Sequence, residues 1–263
     1  MRRAAAGLAL ALTGALTGAA AGCSAGEDDG TRLRVLAAAS LSSTFEELAA
    51  EFERTHEGVD VQLSFGGSAD LVAQVQEGAP ADVLATADTA TMDRLVTEGL
   101  TDGAPEVFAT NVLQLAVPAG NPAGVRGLAD LDTGSSTGAG SAAEDVDLVV
   151  CAPEVPCGAA AVRLAEVAGV RLSPVSEEQS VTDVLGKVTS GEADAGLVYV
   201  TDVRAAGDAV EGIAVPEADQ VVNEYPVATL ADSDEADLAR EFVQLVLGAT
   251  GREVLDTAGF GAP

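Results

Sequence analysis

The sequence predicts an α/β protein on mostly parallel sheets, each flanked by helices on both faces. Three observations predict this class. Strand-like and helix-like hydrophobic periodicities alternate along nearly the whole length, the pattern that parallel strands joined by crossover helices require. The 263 residues suffice for one large or two medium domains. At 48% hydrophobic but only 3% aromatic, the core has to be assembled from Ala, Val and Leu.

The first element is not part of that core. Arg2 and Arg3 precede an apolar Ala/Leu-rich run from Ala4 to Leu16, then the small residues Ala20, Ala21 and Gly22 before Cys23. A charged start, an apolar stretch and a small-residue processing site read as a removable export signal over residues 1–22. The apolar run is short and soft for a retained membrane anchor. A cysteine at that point resembles a bacterial lipobox, with Ala20 where Leu is usual, and implies that Cys23 becomes the lipidated first residue. An ordinary processing site with an incidental cysteine is the alternative. Residues 23–31 are too polar to pack and read as a flexible tether. Cleavage before Cys23 leaves 11 of the 13 basic residues against 42 acidic ones, so the net charge moves from −29 to −31. Such a balance excludes nucleic acid as a partner.

Leu33 to Ala39 is apolar apart from Arg34 and reads as a strand. Phe45, Leu48, Ala49 and Phe52 then fall at helical spacing, with Ser43 and Glu46 spaced as a capping box. Val59 to Phe65 alternates as a strand and leads to a helix through Leu71, Val72 and Val75. A short strand over Ala81–Ala85, a helix over Met92–Val96 and a strand from Val112 to Val117, closed by Pro118, follow. Leu148–Val150 is a strand before a helix through Val162, Leu164 and Val167. Val181, Val184, Leu185 and Val188 make a helical stripe, and Ala195–Val200 a buried strand. The segment Asp132–Asp147, with Gly134, Gly138 and Gly140, lacks the Lys-Ser/Thr of a phosphate loop and reads as a surface loop. Asp232, Asp234 and Asp237 approach calcium-loop spacing without its central Gly or terminal Glu. They read as the acidic lead into a helix through Leu238, Phe242, Leu245 and Val246.

Four junctions concentrate the chemistry: Ala37–Leu41, Phe65–Ser68, Val155–Gly158 and Ser180–Val181 each end a strand or loop and open a helix. Free backbone N–H groups and the positive end of the helix dipole can hold an oxyanion there without any cationic side chain. Ser40, Ser68 and Ser180 also suit plain helix capping. Asp70 either accepts a proton from a protonated anion or simply favours its helix N-terminus. Cys151 and Cys157, six apart in an exported chain, read as a short-loop disulfide, with two buried small hydrophobes as the alternative. The single histidine, His56, lies in a polar helix end and reads as solvated surface. It stands near no nucleophile, so serine or cysteine catalysis has no base.

Taken in order, Ala38–Leu41, Ser64–Ser68, Gly78–Val83, Pro153–Gly158, Ser180–Val181 and Gly196–Asp202, with Glu224–Val227 before the last helices, resemble the periplasmic molybdate-binding proteins of ABC transporters. The resemblance spans nearly the whole exported chain. It implies the type II periplasmic-binding-protein fold: one lobe from residues 32–110 plus 215–263, the other from 111–214. It assigns oxyanion contacts to the hydroxyls and amides of Ser40 and Ser68, the amides of Cys157 and Val181, and the phenol of Tyr199. Cys157 stands where familiar relatives have alanine. The implied function is capture of molybdate or tungstate by a monomer lipid-anchored through Cys23 to the outer face of the cytoplasmic membrane, for an ABC permease, with no cofactor. Sulfate or another tetrahedral oxyanion is the alternative ligand, and an extracytoplasmic enzyme on the same fold the alternative class.

Overall fold

The computed structural model describes residues 30–133 and 146–263. The export signal, Cys23, most of the tether and the Gly134–Gly140 loop lie outside the described residues. In chain order, β1 (Thr31–Ala38), α1 (Ser42–Thr55), β2 (Val59–Gly66), α2 (Ser68–Gln76), β3 (Val83–Ala85), α3 (Thr89–Glu98) and β4 (Glu106–Asn111) come first. The chain then crosses into β5 (Leu113–Pro118), β6 (Leu148–Cys151), α4 (Pro156–Ala168), β7 (Ser176–Glu178), α5 (Val181–Ser190), β8 (Ala195–Tyr199), α6 (Val200–Ala206) and β9 (Val210–Ile213). It returns through β10 (Asn223–Thr229), α7 (Ala236–Leu247) and α8 (Ala249–Ala258).

Two five-stranded sheets result, ordered β2-β1-β3-β10-β4 and β7-β6-β8-β5-β9, and they define two lobes. In the first sheet β1 pairs in parallel with β2 and β3, while β10 runs antiparallel to both β3 and β4. In the second, β6 is parallel to β7 and β8, while β5 is antiparallel to β8 and β9. Each sheet therefore has one reversed strand, and in each it is the strand by which the chain enters from the other lobe. The α/β class with mostly parallel sheets expected from the periodicity is the one observed.

Burial follows the helical stripes read in the sequence. Phe45, Leu48, Ala49 and Phe52 of α1 are buried against β1 and β2, and Phe242 of α7 meets Phe45 and Phe52 with ring centroids 6.1 and 5.4 Å apart. Leu71, Val72 and Val75 of α2 pack with Leu84, Met92 and Leu95 on the opposite face of the first sheet. In the second lobe, Val184 and Val188 of α5 pack with Val149 and Leu197.

Several local expectations are corrected. Thr31 belongs to β1 rather than to the tether. The Ser43–Glu46 capping box does not form: α1 begins at Ser42 after a 3-10 turn over Ala39–Leu41, without a side-chain cap, and Thr44 Oγ1 instead donates to the Leu41 carbonyl at 2.9 Å. Val162 and Val167 lie on the outer face of α4, each 45% exposed, and the small residues Ala160, Ala161 and Gly158 face the sheet. His56 is docked rather than solvated: it stacks on Phe52 at 3.8 Å, and Nε2 meets Glu241 at 2.8 Å. The disulfide expected between Cys151 and Cys157, by contrast, is observed, and it ties the end of β6 to the first turn of α4.

Candidate functional site

The four helix openings converge between the lobes on a cavity of about 20 Å³. The first lobe contributes Ser40 from the 3-10 turn after β1, and Gly67 and Ser68 where β2 passes into α2. The second contributes Pro156 and Cys157 at the start of α4, Ser180 and Val181 at the start of α5, and Tyr199 at the end of β8. All five residues singled out from the sequence therefore line one cavity, and all are buried, from 1% exposed at Tyr199 to 9% at Ser40. Among the described residues no charged side chain lines it. Room for little more than a water or a compact ion remains, so an extended organic solute does not fit this arrangement.

The capping pattern sharpens the chemistry. The 3-10 turn, α2 and α4 all begin without a side-chain cap. Buried helix starts normally find partners for their first N–H groups, so three uncapped starts facing one cavity make it a collection of donors. Of the four openings at the cavity, α5 alone is capped, by Ser180 Oγ, which accepts from Asp183 N at 3.2 Å. Ser40 and Ser68 do not cap, contrary to the simpler reading. Ser40 Oγ pairs with the Tyr225 phenol at 3.1 Å, and Ser68 Oγ accepts from Ala87 N at 3.0 Å. Asp70 is exposed in the first turn of α2 and does not line the cavity, which leaves it the helix-terminus role.

The phenol of Tyr199 accepts from Asn223 Nδ2 at 3.1 Å and its ring meets that of Tyr225 edge-on at 5.9 Å. Burial pushes both phenols upward in pKa, so they keep their protons at neutral pH. Behind them the Tyr199 N–H donates to Asp202 Oδ2 at 2.8 Å, and burial raises the Asp202 carboxyl to about 7. Asn223, Tyr225 and Asp202 are the site-supporting residues that sequence reasoning missed. Only the Glu224–Val227 match marked β10 at all, and it pointed to no role. Backbones of the two lobes also touch at the cavity: a Cβ on Gly67 would collide with the carbonyl of Gln179. Among the described residues there is no cluster of three or more His, Cys, Asp or Glu able to hold a metal ion, Asp232, Asp234 and Asp237 included.

Two α/β lobes, joined by two crossovers and meeting at a small neutral cavity lined by donors, define the class as a solute-binding receptor. Residues 33–261 match the bacterial extracellular solute-binding protein family, and the chain belongs to it. The molybdate-binding protein ModA of Mycobacterium tuberculosis is 45% identical over 229 residues, covering 87% of this chain and 84% of that protein. Among solved structures, the periplasmic molybdate-binding protein of Azotobacter vinelandii superposes with a TM-score of 0.71 at 23% identity, covering 88% of this chain and 99% of that one. The sulfate-binding protein SubI of Mycobacterium tuberculosis gives 0.69 at 22%, covering 88% and 86%. At these identities the superpositions speak to the fold alone, and it serves both anions.

Proposed function

We propose that this chain captures molybdate, with tungstate nearly equivalent, outside the cytoplasmic membrane and delivers it to an ABC importer. The observation that carries the reading is the convergence of Ser40, Ser68, Cys157, Val181 and Tyr199 on one small uncharged cavity. A buried dianion is costly unless several charge-assisted hydrogen bonds replace its hydration at once. Two hydroxyls, the amides at the helix starts and a protonated phenol supply them. The 45% identical ModA supports this choice of anion.

The mechanism follows from the architecture. The anion binds one lobe, taken as residues 32–110 plus 215–263, and the other, residues 111–214, swings in by a hinge at the two crossovers. The permease then recognises the closed form. The protein acts as a monomeric binding protein, not an enzyme, with no cofactor beyond its ligand, held at the membrane by a lipid on Cys23. Among the described residues no helix is long and apolar enough to cross a membrane.

Calorimetric titration with molybdate, tungstate, sulfate and hydrogen phosphate tests the reading. Molybdate and tungstate should bind with similar affinity, and sulfate and phosphate at least tenfold more weakly. Sulfate binding as tight as molybdate would reassign the receptor, and turnover of a bound oxyanion ester would reassign its class.

A further inference from the structure

Asn223 is 1% exposed at the start of β10, where the chain returns to the first sheet. Its Nδ2 donates to the Ala87 carbonyl at 2.9 Å and to the Tyr199 phenol oxygen at 3.1 Å. A carbonyl only accepts, so Ala87 fixes which end of the carboxamide faces inward; the flipped amide would set two acceptors against each other. In the orientation so fixed, Asn223 Oδ1 is buried with no hydrogen-bond partner among the described residues. Folded proteins avoid such orphaned acceptors, and one retained beside a binding cavity calls for a functional account.

A phenol combines one donor with an acceptor oxygen. With Asn223 donating to that oxygen, what Tyr199 has left to offer is its proton, for which the neighbouring Tyr225 phenol oxygen competes with the ligand. The same pattern holds at Ser68, whose Oγ accepts from Ala87 N at 3.0 Å and so retains its own proton for another acceptor.

We propose that Asn223 is a specificity-determining positioning residue: by donating to Tyr199 it commits the phenol to give its proton to the ligand, so the site takes oxyanions without a proton of their own and rejects those that carry one. The inference rests on the reading that Tyr199 touches the anion. The titratable groups facing this pair are Tyr225 on β10, Asp202 on α6 and Asp88 at the start of α3. Asp202 titrates near neutrality, so the parent protein is the reference at every pH.

The test is titration of molybdate and hydrogen phosphate against the parent, Asn223→Asp, Asn223→Leu, Tyr199→Phe and the double variant Asn223→Asp/Tyr199→Phe, at about pH 6 and pH 8. At the higher pH the introduced carboxylate accepts the hydrogen bond of the Tyr199 phenol in the ligand's place, and molybdate affinity should fall about 10- to 150-fold, the scale of one charge-assisted bond. At the lower pH the buried carboxyl regains its proton and can donate again, so affinity should recover beyond any change in the parent. In the double variant that recovery should vanish. Asn223→Leu, close in volume and without polar atoms, frees the phenol and should narrow the preference for molybdate over phosphate without adding pH dependence; it carries the test should Asn223→Asp fail to fold. If Tyr199→Phe binds molybdate as tightly as the parent, the reading of the site itself fails. If Tyr199→Phe weakens binding while Asn223→Asp keeps the parent's pH profile, or in its place Asn223→Leu keeps the parent's molybdate-to-phosphate ratio, the reading stands and the role of Asn223 is overturned.

Discussion

All six phenylalanines lie in the lobe of the β1 sheet, whereas between residues 111 and 214 the one aromatic residue is Tyr199. The first lobe packs Phe45, Phe52, Phe108 and Phe242 around α1 and α7, with Phe45 tilted against Phe108 and Phe242 and Phe52 edge-on to Phe242. The second fills its interior with Val, Ala and Leu, and carries the Cys151–Cys157 disulfide beside the cavity. Their contributions to the site differ in the same way. The first lobe offers the hydroxyls of Ser40 and Ser68, each engaged by a partner in its own lobe, Tyr225 and Ala87. The second offers mainly backbone at helix starts. A hydroxyl needs neighbours to hold its rotamer, and large aromatic side chains provide a rigid surround. An amide is held by the helix itself, so small residues serve, with a covalent tie where the helix begins.

The largest effect expected of this asymmetry is on stability. Phe242→Ala should cost about 3–5 kcal/mol through the cavity it leaves among Phe45 and Phe52, read as a shift in denaturant midpoint. A smaller shift than that caused by removing the disulfide would break the comparison. Next comes Asp202, whose carboxyl burial raises from 3.8 to about 7. A folded pKa above the unfolded one gives stability that is complete below about pH 4 and lost as pH rises through about 7. The loss amounts to roughly 4 kcal/mol at most. Relative to Asp202→Asn, which keeps an acceptor for Tyr199 N, the parent should therefore lose stability between about pH 4 and 8. Parallel curves for the two proteins would remove Asp202 as the cause.

Gly67→Ala separates closure from folding. The backbone of Gly67, φ −61° and ψ 133°, suits any residue, so the ligand-free protein should fold normally. The added methyl would meet the Gln179 carbonyl of the other lobe. Affinity should drop by about 1–3 kcal/mol, the usual cost of overpacking, with little change in melting temperature; unchanged affinity would mean that the lobes need not approach this closely. The smallest effect belongs to Cys151→Ala/Cys157→Ala. Removing so short a loop closure should cost about 2 kcal/mol or less, and the Cys157 amide remains, so affinity should stay within about tenfold.

The strands and helices read most securely from the sequence were those with a buried stripe: α1, α2 and α5, with β1, β2 and β8 before or between them. β7 was missed because Ser176–Glu178 has no hydrophobic pattern and is a strand only through pairing with β6. The helix openings were legible because a strand pattern ending in small residues before a helical period is local information. What Ser40 and Ser68 bond to was not, since Tyr225 is 185 residues from Ser40 and Ala87 lies beyond the whole of α2. The same distance hid Asn223, whose partners Ala87 and Tyr199 lie 136 and 24 residues away.

The neutral cavity has a kinetic consequence in a chain of net charge −29. The attraction of helix ends fades within about a turn, while the acidic surface reaches outward by a Debye length of about 30 Å at 0.01 M salt and about 8 Å at 0.15 M. An approaching dianion is thus repelled before it is held. Its association should speed up with added salt, opposite to a receptor that steers its ligand with cations. Stopped-flow measurements across that range would read this directly, and a slower rate in salt would reveal a local positive route to the cavity. Tight retention and slow low-salt capture then arise from one design, in which every donor is uncharged.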